Sequence, residues 1–336
     1  MLQGKRAIVF GVANARSIAW GIADRWRREG AEVFITYQNE RFRKPVEKLL
    51  NDRWDLLHTN GPIPAAPCDV SNEEEIAALW QTLQEIGFCD APEGATGNAA
   101  SATTATRLEL MTDEKGATTP LCRRQEQRSG EANERGQEGG EDCGFDRTAS
   151  WEGLGRKKID AILHSVAHAP TEAMQRGFVM GTSKEAFVSA HVVSAYSLVS
   201  ITRHALPFLA PGASVTALTY VGSQRAVANY NVMGPAKSSL ESCARALAQE
   251  LGGNPASVGP GGIRVNCLSP APVRTMAARG ITGFDEMRQD AARRAPLGRG
   301  PSEDEIAGVA TFLASSLGSS VTGQTVYADC GFSAVV

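Results

Sequence analysis

Three residues in the C-terminal half of the chain have side-chain types and a spacing that suit chemistry at a polarised oxygen. Tyr220, Tyr230 and Lys237 lie in the stretch LTYVGSQRAVANYNVMGPAKSSLE. A step of seven residues is close to two helical turns, so a helix over about 228–251 would place Tyr230 and Lys237 on one face. An ammonium group near a phenol favours phenolate character and hydrogen-bond donation, which stabilise a developing oxyanion. The same pattern fits a core tyrosine beside a lysine that extends its amine to solvent, and a nucleotide-binding half in the same sheet favours the catalytic interpretation.

The residues after the first and third predicted strands suit a dinucleotide. A strand over 6–12 contains Gly11, and Ser17 follows at the start of a predicted helix, where it could cap the helix and offer a hydroxyl to phosphate. A glycine lets the backbone approach a pyrophosphate, and the free N–H groups of a helix N-terminus attract anions. Asp69 and Val70 follow the third strand and suit an adenine contact. A plain β/α turn at Gly11 and a turn-capping role for Asp69 are the alternative interpretations.

The end of the second predicted strand distinguishes between the two nicotinamide dinucleotides. Gln38 and Asn39 are neutral and Glu40 is acidic, at the position where the adenosine ribose should lie. A 2′-phosphate would require Arg or Lys directly after the strand. The pattern therefore favours NADH over NADPH, with Arg41 and Arg43 as the later residues that would reverse this preference.

Strand-like and helix-like segments alternate along the chain and predict the frame that positions these residues. Strict β/α alternation predicts a parallel sheet with helices on both faces and right-handed crossovers. We expect seven strands and no second core, so residues 1–336 form a single Rossmann-type, doubly wound α/β domain. Capping boxes at 71–74 and 302–305 mark two helix starts, and a long helix is expected over about 183–208. The expected strands cover 6–12, 32–37, a segment ending at Cys68, 159–166, 213–219, 263–269 and 324–329.

Residues 88–157 interrupt this alternation as an insertion. From Asp90 to Ser150 the chain has no Ile, Val, Tyr or Trp, and acidic residues outnumber basic ones by 12 to 7. Such a segment has too little apolar surface to offset the entropy of ordering, so we expect it to be disordered. Its acidic balance argues against a nucleic-acid-binding arm. A tolerated surface insertion or a retained intron is favoured over a functional loop, since loop-closure entropy grows slowly with length.

Bulk composition argues against several classes of protein. The 336 residues are 42% apolar and 21% charged with a net charge of −3, which is typical of a globular protein without a nucleic-acid or membrane partner. No apolar run approaches the roughly 20 residues that cross a bilayer, and we expect no signal peptide. The seven cysteines lack metal-ligand spacing, so reduced structural thiols and no metal site are expected.

The order of these motifs is similar to that of a known family. The matching stretches are GVANARSIAWGIA, TYQNE, CDV, HSVAHAP, YNVMGPAK, IRVNCLSPAPVRTMAARGI and GQTVYADCGF. They run in family order over residues 2–334, apart from the 88–157 insertion and a small expansion around 253–262. On these motifs the chain resembles the enoyl-[acyl-carrier-protein] reductases of the short-chain dehydrogenase/reductase superfamily, particularly the bacterial and cyanobacterial type.

The resemblance implies NADH-dependent reduction of the trans-2,3 double bond of enoyl-acyl-carrier-protein thioesters in type II fatty-acid elongation. Tyr230 would donate a hydrogen bond to the thioester oxygen and stabilise the enolate, and Lys237 would bind the nicotinamide ribose hydroxyls. Tyr220 would line the acyl pocket and assist hydride or proton transfer. The Ala169 backbone would touch the acyl group, and 271–285 would form the substrate-binding loop. NADH would contact Gly11, Ser17, Ile18, Gln38, Asp69, Val70, Val166, Lys237, Val273, Arg274, Thr275, Met276 and Ala277.

The resemblance also implies partners and a location. The substrate would arrive on acyl carrier protein, and the chain would form a homotetramer with the Tyr–Lys helix at a subunit interface. The protein would be soluble, in the cytoplasm if it is bacterial and in the plastid stroma if it comes from a plastid-bearing eukaryote.

Two rival functions stay open at this point. Carbonyl-reducing members of the superfamily have a Tyr-x3-Lys motif with a serine thirteen residues before the tyrosine, whereas here that position is Ala217 and six residues separate Tyr230 from Lys237. The longer gap moves the hydroxyl by roughly 4–5 Å along a helix axis. That displacement suits hydride delivery to Cβ, two carbons from the thioester carbonyl. A carbonyl reductase and a catalytically inactive NAD-binding scaffold are the alternatives.

Three positions depart from the family's pattern. Pro235 lies between Tyr230 and Lys237, and a proline inside a regular helix would cost ~3 kcal/mol and kink it. His168 replaces a residue that is often aromatic and apolar, and a harmless change at the pocket edge is favoured over a catalytic role. Pro270-Ala271 stands where Ala-Gly is usual and would stiffen the entry to the substrate-binding loop.

Overall fold

One β-sheet organises the part of the chain that the computed structural model describes. The described residues are 1–52, 63–91, 106–112, 118–124, 157–253, 261–275, 278 and 281–335, with the backbone alone for Asp52 and for the two segments between 106 and 124. The strands are β1 (Arg6–Phe10), β2 (Glu32–Tyr37), β3 (Ala65–Pro67), β4 (Thr106–Thr112), β5 (Thr118–Arg124), β6 (Ile159–His164), β7 (Leu209–Leu218), β8 (Arg264–Pro270) and β9 (Thr325–Ala328).

Helices alternate with these strands as the sequence predicts. Over the described ranges they are α1 (Ile18–Arg28), α2 (Glu40–Asp52), α3 (Glu73–Glu85), α4 (Thr171–Gln175), α5 (Phe178–Gly181), α6 (Lys184–His191), α7 (Ser197–Ala205), α8 (Met233–Leu251), α9 (Phe284–Arg294) and α10 (Glu303–Ala314). None of the helices in those ranges is long and apolar enough to span a bilayer.

The strand order places the first strand at a topological switch point. The order is β4-β5-β3-β2-β1-β6-β7-β8-β9, and the seven strands β1–β3 and β6–β9 form the predicted parallel core. Phe10 at the end of β1 pairs with Thr36 of β2 on one side and with His164 of β6 on the other. The strands that follow β1 in the chain lie first on one side of it (β2 and β3) and then on the other (β6 to β9). The carboxyl ends of β1 and β6 therefore border a crevice where ligands of such sheets bind.

The insertion contributes two strands that the sequence did not predict. β4 and β5 form an antiparallel pair, and β5 extends the sheet beyond β3 through a parallel pairing of Ala65 with Leu121. The sheet therefore has nine strands among the described residues, of which seven belong to the predicted parallel core. Most of the expected disorder over 88–157 falls on residues outside the described ranges and stays a prediction.

Two apolar layers cover the two faces of the sheet. Residues of β1 alternate between them, because successive side chains of a strand point to opposite faces. Ile8 and Phe10 belong to the layer under α3, α7 and α8, whereas Ala7 and Val9 belong to the layer under α1, α2 and α10. Both layers are continuous with the carboxyl ends of the strands, so the core fixes the positions of the loops that contain the candidate site.

Two predicted helix starts have different outcomes. Ser302 and Glu305 form the expected capping box at the start of α10. At α3 the cap is Asn72, whose side chain accepts from the Glu74 backbone N–H at 2.9 Å, and the prediction of a box opening at Ser71 is wrong. Asn72 caps the helix in place of Ser71 because its short side-chain amide oxygen reaches the second N–H of the helix.

The long helix expected over 183–208 is interrupted by a π-helical turn. The turn spans Val192–Tyr196 and separates α6 from α7. Inside it, the buried Ser194 hydroxyl accepts from the His168 N–H at 3.0 Å and donates to the His168 carbonyl at 3.2 Å. Turns of this kind occur often at functional sites, and here it holds the loop that follows β6.

Candidate active site

The turn after β1 requires glycine at one position. Gly11 has φ +93°, and a Cβ on it would lie 2.2 Å from the Ser165 carbonyl oxygen and 3.3 Å from Val166 Cγ2. The close approach arises because β1 and β6 are neighbouring strands, and Gly11 and Ser165 are the residues that directly follow them. Gly11 and Val166, both predicted to contact the cofactor, therefore lie side by side at the switch point.

The N-terminus of α1 has the features that suit an anion. Ser17 caps it, accepting from the Trp20 N–H at 3.4 Å and donating to the Asn14 carbonyl at 2.7 Å, so its hydroxyl is already engaged in the turn. No acidic residue occurs in the described first turn of α1, whereas the first turns of α3 and α10 each contain three. Acidic side chains normally stabilise that end of a helix, and their absence at Ile18 leaves the positive end of the dipole for a ligand.

A groove of about 510 Å³ continues from this end of the sheet. Its lining includes Gln38 and Asp69, two of the predicted cofactor contacts, together with His168. The Asp69 carboxylate accepts from the Ser71 N–H at 2.9 Å and from the Ser71 hydroxyl at 2.7 Å, which is the turn-capping alternative considered for it. Val70 beside it is buried.

Tyr230 and Lys237 do not share a helix, so that prediction is wrong. The helix α8 begins at Met233, and Tyr230 lies in the turn before it. Asn229 and Asn231 on either side of Tyr230 have φ of +61° and +42°, left-handed values that asparagine tolerates better than most residues. Their side-chain amides donate to the carbonyls of Thr282 and Met174, at 2.9 and 3.0 Å, which holds the turn in place.

Pro235 lies in the first turn of α8, whereas the predicted kink assumed a proline inside a regular helix. With Met233 as the first helical residue, Pro235 is the third. The first N–H groups of a helix have no intrahelical acceptor, so a proline there loses no helical hydrogen bond. Pro235 therefore carries none of the cost expected for a proline inside a helix.

The two tyrosines, Tyr230 buried and Tyr220 half-buried, pack together against a glycine. The rings of Tyr220 and Tyr230 meet edge to face, with centroids 4.9 Å apart and planes at 70°. A Cβ on Gly222 would lie 2.5 Å from Tyr230 Cδ1, so only glycine leaves room for this ring. The Tyr220 hydroxyl donates to Met287 Sδ of α9 at 3.6 Å. Gly222 thus supports the site, and its place between two candidate tyrosines was the signal that sequence reasoning passed over.

Burial keeps both phenols neutral. It raises the pKa of Tyr220 to about 12 and raises the pKa of Tyr230 further, with Tyr220 and Glu241 adding to the effect on Tyr230. The prediction that a nearby ammonium gives Tyr230 phenolate character is therefore wrong. A neutral phenol is a hydrogen-bond donor over the whole physiological pH range, which still suits stabilisation of an oxyanion.

Lys237 is buried, on the second turn of α8. Its ammonium donates to the Leu218 carbonyl at 2.7 Å, where β7 ends. Burial lowers the pKa of Lys237 to about 8, against opposing contributions from Cys267 and Glu241. The neighbouring His164, at the end of β6, has its pKa lowered to about 3 by burial and by Lys237, so it is neutral.

The substrate-binding loop predicted over 271–285 is described in part. Within it, Arg274 forms an ion pair with Asp285 at 2.8 Å, and the Thr275 hydroxyl accepts from the Ala278 N–H at 3.1 Å. Val273 packs against the apolar layer under α1, and Met276 and Ala277 lie outside the described residues. Pro270 continues β8 as its last residue, so the loop starts from a paired strand.

Ala169, the predicted acyl contact, lies near the tyrosine pair. It packs against the apolar cluster that contains Tyr230, as Tyr220 does. The neighbouring His168 side chain is exposed, at the rim of the groove, and only its backbone is held, by the π-helical turn. This placement agrees with a pocket-edge substitution.

Together these features define a class of protein. A helix N-terminus suited to phosphate lies at the switch point of a doubly wound sheet that also holds a Tyr pair and a buried lysine. The arrangement is that of a Rossmann-type oxidoreductase that uses a nicotinamide dinucleotide.

Comparison with known proteins identifies the family. The model of the family described as Enoyl-(Acyl carrier protein) reductase matches residues 11–119 and 148–333. The NADH-dependent enoyl-[acyl-carrier-protein] reductase of Bacillus cereus is 32% identical over 99% of this chain and 98% of its own length. The NADPH-dependent enzyme of Staphylococcus aureus is also 32% identical, over 99% and 98%. The chain belongs to the enoyl-[acyl-carrier-protein] reductase family.

Solved structures agree with this assignment. A crystal structure of the Bacillus cereus reductase with NADP+ and an indole naphthyridinone superposes with a TM-score of 0.72 at 31% identity, covering 100% of this chain and 98% of that one. The Aquifex aeolicus enzyme superposes with a TM-score of 0.69 at 29% identity, covering 98% and 97%.

Proposed function

We propose that this protein reduces the trans-2,3 double bond of enoyl-acyl-carrier-protein thioesters with NADH, in type II fatty-acid elongation. The observation that carries the proposal is the edge-to-face Tyr220–Tyr230 pair after β7, in a chain that belongs to this family. The phenols are neutral donors in an apolar cluster where little water competes, so a hydrogen bond to a developing oxyanion is strong.

Each residue of the site has a proposed role. The cofactor supplies a hydride to Cβ of the substrate. Tyr230 donates its hydroxyl hydrogen bond to the thioester oxygen as the enolate charge develops. Lys237 binds the hydroxyls of the nicotinamide ribose, and Tyr220 lines the acyl pocket together with the Ala169 backbone. Positioning and an oxyanion site are what this chain contributes.

The groove and the α1 N-terminus fit a dinucleotide. Gly11, Ser17, Ile18 and Val166 would hold the pyrophosphate end, and Gln38, Asp69 and Val70 the adenosine end. Val273, Arg274, Thr275, Met276 and Ala277 would cover the nicotinamide.

The preference for NADH rests on the charges at the end of β2. Gln38 is exposed and neutral at the groove. Arg43, one of two arginines that could bind a 2′-phosphate, is instead paired with Glu47 at 2.5 Å and with Glu40 at 3.5 Å. Arg41 is exposed and is the residue that would reverse the preference. Steady-state kinetics with both cofactors test this, and a larger kcat/KM with NADPH would contradict it.

A carbonyl-reducing activity is the rival that an assay must separate. The serine of carbonyl-reducing relatives is replaced by Ala217, which is fully buried in β7. The expected outcome is turnover of a crotonyl thioester with NADH and far slower turnover of a ketoacyl thioester. The opposite ratio would establish the rival, and NADH binding without turnover of either would indicate an inactive scaffold.

We further propose that the substrate arrives on acyl carrier protein and that the chain assembles as a homotetramer with α8 at a subunit interface. An exposed apolar face on α5 and α6 supports assembly, because large exposed apolar patches are unusual in monomers. Its members are Phe178, Val179, Met180, Phe187 and Val188. Light scattering on the purified protein measures the assembly, and a monomer at micromolar concentration would contradict it.

A further inference from the structure

A buried carboxylate gathers one loop of the site onto α8. Glu241 is only 3% exposed and lies one helical turn after Lys237. Its Oε1 accepts from the Thr219 hydroxyl at 2.7 Å and from the Ser223 hydroxyl at 2.5 Å, and its Oε2 accepts from Gln224 Nε2 at 3.3 Å. Three side-chain donors from a single six-residue segment, 219–224, therefore converge on one carboxylate. Such bonds are needed, since a buried carboxylate without them would be very costly.

The segment 219–224 contains the residues that set the place of both phenols. Tyr220 belongs to the ring pair, and Gly222 is the surface on which the Tyr230 ring rests. Lys237 holds the residue before the segment, through the Leu218 carbonyl at 2.7 Å. The helix α8 thus holds the segment at its start through Lys237 and along its length through Glu241.

We propose that Glu241 is a positioning residue for the reduction: its carboxylate holds segment 219–224, and with it Tyr220 and Gly222, in the place that Tyr230 requires. The negative charge of Glu241 has a second, electrostatic effect on Lys237. The role rests on the proposed function. Glu241 acts through its neighbours and not directly on the substrate or the cofactor.

The electrostatic part of the role has a definite sign. Burial lowers the pKa of Lys237, and the two groups that oppose burial are Glu241 on the same helix and Cys267 on β8. The other titratable neighbour, His164 on β6, is neutral because its own pKa is depressed. Removing the carboxylate therefore lowers the pKa of Lys237 further below about 8.

The first test is Glu241→Gln against Glu250→Gln, the same substitution at an exposed position on the same helix. Glutamine keeps one acceptor but loses the charge and places an N–H₂ group against the loop donors. We expect kcat with a crotonyl thioester to fall about tenfold and the alkaline limb of kcat/KM to move to lower pH by about half a unit or more. Glu250→Gln should match wild type. An unshifted pH profile with wild-type kcat in Glu241→Gln would overturn the proposal.

A second measurement needs neither substrate nor cofactor. Amide hydrogen exchange of the free protein should show faster exchange for 219–224 in Glu241→Gln and not in Glu250→Gln, because the segment has lost its anchor. Should the wild type fail to reduce any enoyl thioester, the proposed function fails while the anchor is still tested by exchange. Unchanged exchange of 219–224 would refute the anchor even in an active enzyme.

A second pair of variants covers the case in which Glu241→Gln does not fold. Thr219→Val and Ser223→Ala each remove one donor and leave the carboxylate charge in place. Their double variant should lower kcat while the alkaline limb of the pH profile stays at its wild-type position. Wild-type kcat in the folded double variant would also overturn the proposal.

Discussion

The two ends of the site use different parts of the chain. The cofactor end is formed mainly by backbone: a glycine packed against the residues after β6 and a helix N-terminus without acidic residues. The catalytic end is formed by buried ionisable side chains: Tyr230, Lys237 and Glu241, each less than a tenth exposed. Backbone sites depend on local turns, whereas buried side chains depend on neighbours from distant segments. The two ends should therefore fail differently when mutated.

The largest expected effect is the loss of kcat when the buried Tyr230 hydroxyl is removed from the catalytic end. Tyr230→Phe removes one oxyanion donor, which typically lowers kcat by ~10²–10³. NADH affinity, measured by fluorescence titration, should stay near wild type because the cofactor end is untouched. Tyr196→Phe, at an exposed tyrosine, is the matched control. Full activity of Tyr230→Phe would remove its assigned role.

At the cofactor end, the substitution expected to be most damaging is Gly11→Ala. The new Cβ would meet the Ser165 carbonyl at 2.2 Å in a left-handed conformation. Strain and overpacking of this kind cost about 1–3 kcal/mol each. The free energy of unfolding should fall by about that sum, and NADH affinity by about tenfold or more. Gly4→Ala separates the two causes, since Gly4 has φ +71° with nothing within 4 Å. Equal losses in both variants would show that the close approach to Ser165 is irrelevant.

Gly222→Ala makes the same change at the catalytic end. Its Cβ would lie 2.5 Å from Tyr230 Cδ1, so the ring must move. A 1 Å misplacement costs roughly 10²-fold, and a smaller shift should lower kcat about tenfold while NADH affinity is kept. Gly300→Ala, where a Cβ meets nothing within 4 Å, should be silent. A loss of NADH affinity without a loss of kcat would reverse the comparison.

A smaller effect is expected on the pH dependence of NADH affinity, because Lys237 lies at the catalytic end and is proposed to bind the cofactor. Burial holds its pKa at about 8, below the usual value, so the ammonium is lost as pH rises through about 8. If Lys237 binds the ribose, NADH affinity should fall several-fold between pH 7 and pH 9. Lys237→Met should bind NADH more weakly at pH 7 and show no such decline. A decline that persists in Lys237→Met would assign it to another group.

The smallest expected effect concerns the insertion. Its ends meet, because the Asp90 N–H donates to the Lys157 carbonyl at 3.0 Å and the Lys157 N–H donates to the Asp90 carboxylate at 2.7 Å. Replacing 92–156 by a short Gly/Ser linker should therefore keep cooperative unfolding and change kcat/KM by less than about twofold, since closing a shorter loop costs less entropy. Protease-sensitive sites should also be lost. A tenfold fall in kcat/KM would show that the segment acts on the site.

Much of the fold followed from the sequence because its signals are local. The alternation of strands and helices, the cap at Ser17, the capping box at Ser302 and the seven-stranded parallel core each depend on short-range patterns. The chemical types at the site, two tyrosines and a lysine after a nucleotide-type turn, were equally visible.

Tertiary contacts decided the rest. Helix periodicity placed Tyr230 on α8, yet the amides of Asn229 and Asn231 bond to Thr282 and Met174, and those long-range bonds stabilise a turn there instead. The same shift puts Pro235 in the first helical turn, where it is harmless. The charge states also came from depth in the fold, because burial depends on every element packed around a group. Residue types and local turns are properties of the sequence, whereas ring positions, helix starts and protonation arise only when distant segments pack together.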